Sequence, residues 1–268
     1  KNDEYELYKK RAEETLKTIR HEYFTPSGRC AIQTQTALSL AIMLDLYPEG
    51  TLKTSIGSLH KLLKNKNFHL CTGFVGTPIL CRALTKAGNN GDAVTTFLQK
   101  DYTGWLYPVT MEATSMWERW DSMKPDGKVS PEGMNSFNHY AYASICEWIY
   151  CDICGLNPIE EFPGFKKVIF KPHPSEKLVY AKATYESPMG HFECGWEFKS
   201  QYVTYNFSVP FNAEAKLIIL GTKKSDVVSS SFEINEEGND IVADLNHGNY
   251  EITCKFNNYF FYTSNKFI

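Results

Sequence analysis

The chain predicts an α+β protein in two parts: helices joined in pairs, then an antiparallel β-sandwich. Three observations carry this expectation. Apolar residues recur at helical spacing up to about Pro158, the pattern changes to period two from Lys166, and Pro158 and Pro163 bracket the change. The two domains are expected at 1–160 and 161–268.

The elements follow in order. Residues 4–23 carry Leu7, Ala12, Leu16, Ile19 and Tyr23 among Lys, Arg and Glu, an amphipathic helix broken by Pro26 and Gly28. Residues 34–46 are apolar almost all round, so they predict a buried helix, ended by Pro48 and Gly50. A third helix over 52–63 places Ile56, Leu59 and Leu63 on one face. Thr77 is expected to cap the next, with Pro78 in its first turn and a stop at Gly88. Asp92 is expected to cap a helix through Gln99, and 136–154 reads as one long last helix ended by Gly155. Period-two runs at 167–170, 178–185, 191–198, 202–209, 215–220 and 250–256 then predict short strands of a sandwich. Pro188-Met-Gly190 and Asn246-His-Gly248 read as hairpin turns.

Composition narrows the function classes. The net charge of −3 gives no basic footprint, so no nucleic-acid partner is expected. No run approaches the ~18 apolar residues that span a bilayer, so no membrane partner is expected either. Eight cysteines are scattered through apolar settings, which points to buried thiols in a reducing, cytoplasmic compartment. Cys151-Asp-Ile-Cys154 has metal-like spacing but no second ligand pair nearby, so neither a metal nor a redox role is expected of it. The chain opens as a helix already under way, without a start methionine, and is expected to be a piece of a longer protein.

Residues 105–140 are where chemistry concentrates. Trp105, Tyr107, Trp117, Trp120, Phe137 and Tyr140 lie among Glu112, Glu118, Arg119, Asp121 and His139. Sugars present apolar faces to aromatic rings and hydroxyls to carboxylates, so this composition suits a carbohydrate pocket. A structural turn with an aromatic mini-core and a solvated Glu-Arg pair is the alternative.

Three blocks carry a resemblance: Thr-Gly-Phe-Val-Gly-Thr-Pro at 72–78, Ala-Thr-Ser-Met-Trp-Glu-Arg-Trp-Asp-Ser at 113–122, and Gly-Met-Asn-Ser-Phe-Asn-His-Tyr-Ala at 133–141. In this order, before a β-sandwich, they resemble the C-terminal part of α-L-rhamnosidases of glycoside hydrolase family 78. The resemblance runs from about Tyr23 to the end. It implies that the helices are part of an (α/α)6 barrel, that the enzyme inverts the anomeric centre without a cofactor, and that the partner is a rhamnose-containing carbohydrate. It implies that Glu118, in Trp-Glu-Arg-Trp, is the general base and that His139, in Asn-His-Tyr, contacts the sugar. The family's acid lies in an upstream motif that this chain does not contain. The family usually has glycine where this chain has Glu112.

Inverting hydrolysis needs two carboxyl groups about 6.5–9.5 Å apart, an acid at the leaving oxygen and a base at the attacking water. A carboxylate such as Glu118 is ionised at neutral pH and suits the base. Asp121 would share a face with it on a helix and bond the water or a sugar hydroxyl. Arg119 is expected to pair with a carboxylate. Trp105, Trp117 and Trp120 are candidate sugar contacts, with one of the last two in the core. His69 is placed on the same rim or in a structural role. His60 and the other histidines are read as surface residues. A half-formed barrel would expose apolar faces and promote association. Two other readings stay open: a hydrolase or lyase of the same barrel acting on another sugar, and a non-catalytic carbohydrate-binding or assembly module.

Overall fold

A computed structural model describes residues 2–256. The described residues divide after Ser144 into two compact units. No described helix is long and apolar enough to cross a membrane.

The first unit is helical. It contains α1 (Asn2–Tyr23), α2 (Gln35–Met43), α3 (Leu52–Asn65), α4 (Thr77–Lys86), α5 (Asn90–Phe97), α6 (Leu106–Thr110) and α7 (Tyr140–Ala143). Helix α2 packs against α3 and α4, and α4 against α5. Leu38, Ala41 and Ile42 of α2, Leu59 and Leu63 of α3, Leu80 and Leu84 of α4, and Ala93 and Val94 of α5 form the buried centre. Each large aliphatic side chain among them contributes about 1.5–3 kcal/mol of transfer free energy. Helix α1 differs: it is amphipathic in sequence, yet none of its residues is buried.

Helix ends show why some expectations fail. Thr77 does not cap α4; it is its first residue, and its hydroxyl bonds that of Thr72 at 2.7 Å. Helix α5 begins at Asn90, so Asp92 lies inside the first turn. Its buried carboxylate instead meets His60 Nδ1 at 2.6 Å and Asn89 Nδ2 at 2.5 Å. His60 is therefore not a partnerless surface histidine. The long helix expected over 136–154 is broken. Its first residues are extended, and α7, α8 (Ile145–Trp148) and a π-helical turn (Ile149–Ile153) follow one another. The cause is the backbone pairing of 136–139 with 115–118 set out below, which occupies the amides that a helix start would use. Glycine is required where the π-turn ends: Gly155 has φ 88°, and a Cβ there would lie 2.3 Å from Pro172 N.

The second unit holds two five-stranded sheets packed face to face. One has the order β1-β2-β6-β9-β8 and the other β3-β4-β5-β10-β7. The strands are β1 (Leu156–Pro158), β2 (Lys167–Phe170), β3 (Tyr180–Ser187), β4 (Gly190–Lys199), β5 (Tyr202–Val209), β6 (Glu214–Ile219), β7 (Val227–Ser230), β8 (Asn235–Glu237), β9 (Asp240–Leu245) and β10 (Gly248–Lys255). Phe170 of one sheet meets Phe207 of the other at 4.8 Å between ring centroids. Alternate residues face inward, as the period of two required. Pairing is antiparallel except between β2 and β6, which are parallel because the chain makes β3, β4 and β5 in the other sheet before returning. Strand β1 precedes the expected 158–163 boundary. Pro188-Met189 turns a hairpin between β3 and β4, as expected. Asn246-His247 does not: it joins β9 to β10, which lie in different sheets, so it is a corner. The end of the expected second domain, 257–268, lies outside the described residues.

Candidate active site

The site is built on the chain that leaves α6. That helix is short because it stops in a left-handed turn: the Ala113 N–H bonds Pro108 O at 3.0 Å, the Glu112 N–H bonds Val109 O at 3.0 Å, and Glu112 itself has φ 59°. Helix α4 ends in the same pattern with glycine, Gly88 at φ 78°. Glu112 thus occupies a position suited to glycine. Its side chain is exposed. A left-handed conformation costs a residue with a Cβ on the order of 1 kcal/mol. Glu112→Gly is therefore expected to keep or raise the melting temperature, and Glu112→Val to cost about 1 kcal/mol or more, since a β-branched residue is worst there. Equal melting of the two variants would contradict this account.

From Ala113 to His139 the chain is irregular, so Glu118 and Asp121 share no helical face. Two strand-like pieces, 115–118 and 136–139, lie side by side instead. The Glu118 N–H bonds Ser136 O at 2.9 Å, the His139 N–H bonds Met116 O at 2.8 Å, and the Ser115 hydroxyl bonds Phe137 O. A second pair of rungs joins Ser130 N–H to Ser122 O and Lys124 N–H to Lys128 O. The Pro/Gly-rich loop between them is therefore a folded-back arm.

This pairing sets the candidate base. Glu118 is half-buried, and its Oε2 accepts from the Ser136 N–H at 2.9 Å. Its Oε1 has no partner among the described residues. Asp121 is engaged differently: Arg119 Nε donates to Oδ1 at 3.1 Å and a terminal guanidinium nitrogen to Oδ2 at 3.4 Å. The same guanidinium reaches Glu132, which ties the loop arm to the site. Two carboxylates hold the Arg119 pKa above its ordinary value. All three side chains are partly exposed, so the pairs orient more than they stabilise. Burial, and next the Asp121 charge, raise the phenol pKa values of Tyr102 and Tyr107.

His139 precedes α7 in an extended conformation, and its Nδ1 accepts from the Ala141 N–H at 3.2 Å. A ring nitrogen that accepts carries no proton, so in this arrangement the proton is on Nε2. His69 is not part of this group; its Nδ1 turns back to Lys66 O at 2.9 Å.

The tryptophans form the wall rather than its surface. Trp105, Trp117 and Trp120 are 2%, 3% and 6% exposed, which leaves little ring for a sugar. Trp120 stacks on Tyr142 at 4.0 Å and 3°, Trp105 meets Trp120 edge-on at 5.9 Å, and Phe97 leans on Trp105 at 6.2 Å. Trp105 also donates to Tyr142 O at 3.0 Å. Trp117 packs on Phe137 at 5.6 Å. Sequence reasoning missed Phe74, Ser136 and Tyr142. Of these, only Phe74 carried a signal, as a bulky ring in a Gly-flanked loop.

Residues 1–153 match the family model described as the bacterial α-L-rhamnosidase 6 hairpin glycosidase domain, and residues 155–232 match that of the bacterial α-L-rhamnosidase C-terminal domain. The chain is similar to an α-L-rhamnosidase of Streptomyces avermitilis, 36% identical over 203 residues, which are 76% of this chain and 20% of that one. Among solved structures, that of the Streptomyces avermitilis α-L-rhamnosidase complexed with L-rhamnose is similar with a TM-score of 0.80 and 33% identity, over 90% of this chain and 23% of the other. The native α-L-rhamnosidase from Aspergillus terreus is similar with a TM-score of 0.83 and 29% identity, over 94% and 28%. The chain spans about a fifth of the length of the curated relatives it matches. By these likenesses the paired helices are part of an (α/α)6 barrel, and the two sheets are the β-sandwich that follows it in sequence.

Proposed function

The chain belongs to the bacterial α-L-rhamnosidase family, and from that premise we propose that it is part of an inverting glycoside hydrolase that removes terminal α-L-rhamnose, with Glu118 as general base. The observation that carries this is the state of the Glu118 carboxylate. One oxygen is held by the Ser136 amide at 2.9 Å, and the other is without a partner among the described residues. Such a group is aimed before substrate arrives, and its free oxygen can take a proton from water.

In this reading the water attacks the anomeric carbon as Glu118 removes its proton. The departing oxygen takes a proton from an acid on the opposite side of the sugar. Asp121 does not supply that acid, because Arg119 binds both its oxygens. The acid comes from the part of the protein outside this chain. Assay of the complete enzyme on aryl rhamnosides and aryl glucosides tests the sugar. Turnover of the glucoside alone would favour another sugar on the same barrel, and turnover of neither would favour a binding module.

His139 supplies a hydrogen bond from Nε2 to a sugar hydroxyl. It also caps α7, so its variants separate two effects. His139→Ala is expected to raise KM about 3–10-fold, the cost of one neutral hydrogen bond, and to cost about 1 kcal/mol of stability through the lost cap. His139→Asn retains a capping oxygen and should raise KM with little change in melting temperature. An unchanged KM in both variants would remove His139 from the sugar site.

A further inference from the structure

We propose that Phe74 is a positioning residue for His139, holding the imidazole in the one orientation that presents Nε2–H to the substrate; the inference rests on the site reading above. Two rings stack nearly parallel to the imidazole. Phe74 is parallel to it within 16° at 5.0 Å, and Tyr140 within 11° at 5.1 Å. Phe74 and Tyr140 are 42% and 84% exposed, so neither ring is placed there by burial in a core. What fixes the stack is its attachments.

Phe74 is anchored from below, edge-on to Tyr142 at 5.3 Å, and Tyr142 is the ring that Trp120 covers. Its loop is anchored as well. The Thr77 N–H bonds Gly73 O at 3.0 Å, and a Cβ at Gly76 would lie 2.3 Å from Thr36 Oγ1, so the loop closes against α2 only with glycine there. The imidazole itself is pinned at one edge, where Nδ1 accepts from the Ala141 N–H. An imidazole pinned at one nitrogen still swings about its side-chain bond. The two parallel rings oppose that swing, because it would break both stacked contacts at once. Nε2 makes no hydrogen bond to any described residue, so the oriented donor is free for a ligand. A donor aimed in advance costs less ordering when substrate binds.

The test has one arm that needs no activity. In the 268-residue protein with ¹⁵N-labelled histidine, the His139 ring protons should show ring-current shifts, and Nδ1 should be the unprotonated nitrogen. Phe74→Leu keeps apolar bulk but no ring, and should move the His139 ring signals. Phe74→Tyr should restore them. Signals unmoved by Phe74→Leu overturn the proposal. In the complete enzyme, Phe74→Leu should raise KM about threefold or more, and the double variant with His139→Asn should be little worse than His139→Asn alone. Additive effects overturn action through His139. If the signals depend on Phe74 but no rhamnoside is turned over, the positioning stands and the rhamnosidase reading fails.

Discussion

Glu118→Gln in the complete enzyme is expected to lower kcat by at least ~10²-fold while KM changes little. The reason is local. The amide side chain of glutamine has an oxygen that can still accept the Ser136 N–H, which now holds Glu118 Oε2 at 2.9 Å. Shape and placement are kept, and what is lost is the ability to take a proton. That ability matters only in the transition state, so the loss falls on kcat and not on binding. Glu118→Ala or Glu118→Gly adds a sharper measurement. Azide can enter the vacated space and attack in place of the activated water, giving the β-rhamnosyl azide of inverted configuration. Near-normal kcat in Glu118→Gln, or a rescued product of retained configuration, would show that Glu118 is not the base.

Trp120→Ala should cost about 3–5 kcal/mol of stability, the range for removing a buried tryptophan. A domain commonly has only ~5–15 kcal/mol in all. Trp120 is 6% exposed and lies between Tyr142, at 4.0 Å, and Trp105, at 5.9 Å. Its removal leaves Tyr142 without its cover, and Phe74 rests on Tyr142. Trp120→Phe keeps a flat ring in the same place and should lose far less. Chemical unfolding of the three proteins checks this. A cost below about 1 kcal/mol for Trp120→Ala would mean that the wall closes over the gap, and that the ladder does not hold the site.

The fold was legible where a face of an element is buried along its whole length. Helices α3 and α4 and strands β2, β5 and β6 repeat their apolar residues at the period of the element, and that repeat survives in a linear reading. The site was legible as a region, because aromatic and acidic residues crowd 105–140. Its internal geometry was not. The pairing of Glu118 with Ser136, and of Met116 with His139, joins residues far apart in sequence, and it holds 136–139 extended so that the helix begins only at Tyr140. The same pairing removed the helical face that would have joined Glu118 to Asp121. Periodicity also does not say which side an aromatic takes in an irregular segment: one of Trp117 and Trp120 was expected in the core, and both are buried, as is Trp105. Asp92 looked like a helix cap because its chemistry suits one; a histidine on another helix, His60, claimed it instead. The π-helical turn has no local signature at all.

The indole ladder also gives the molecule a signal of its own. Trp105 and Trp120 are held 5.9 Å apart with their planes at 88°, and Tyr142 lies flat on the second of them. Chromophores that close have coupled electronic transitions, and the coupling depends steeply on separation and angle. Circular dichroism in the aromatic region should therefore follow the ladder directly, while the backbone signal of helices and strands reports separately. Loosening at the site then becomes visible as a change in absorbed light, with no substrate present and no turnover required.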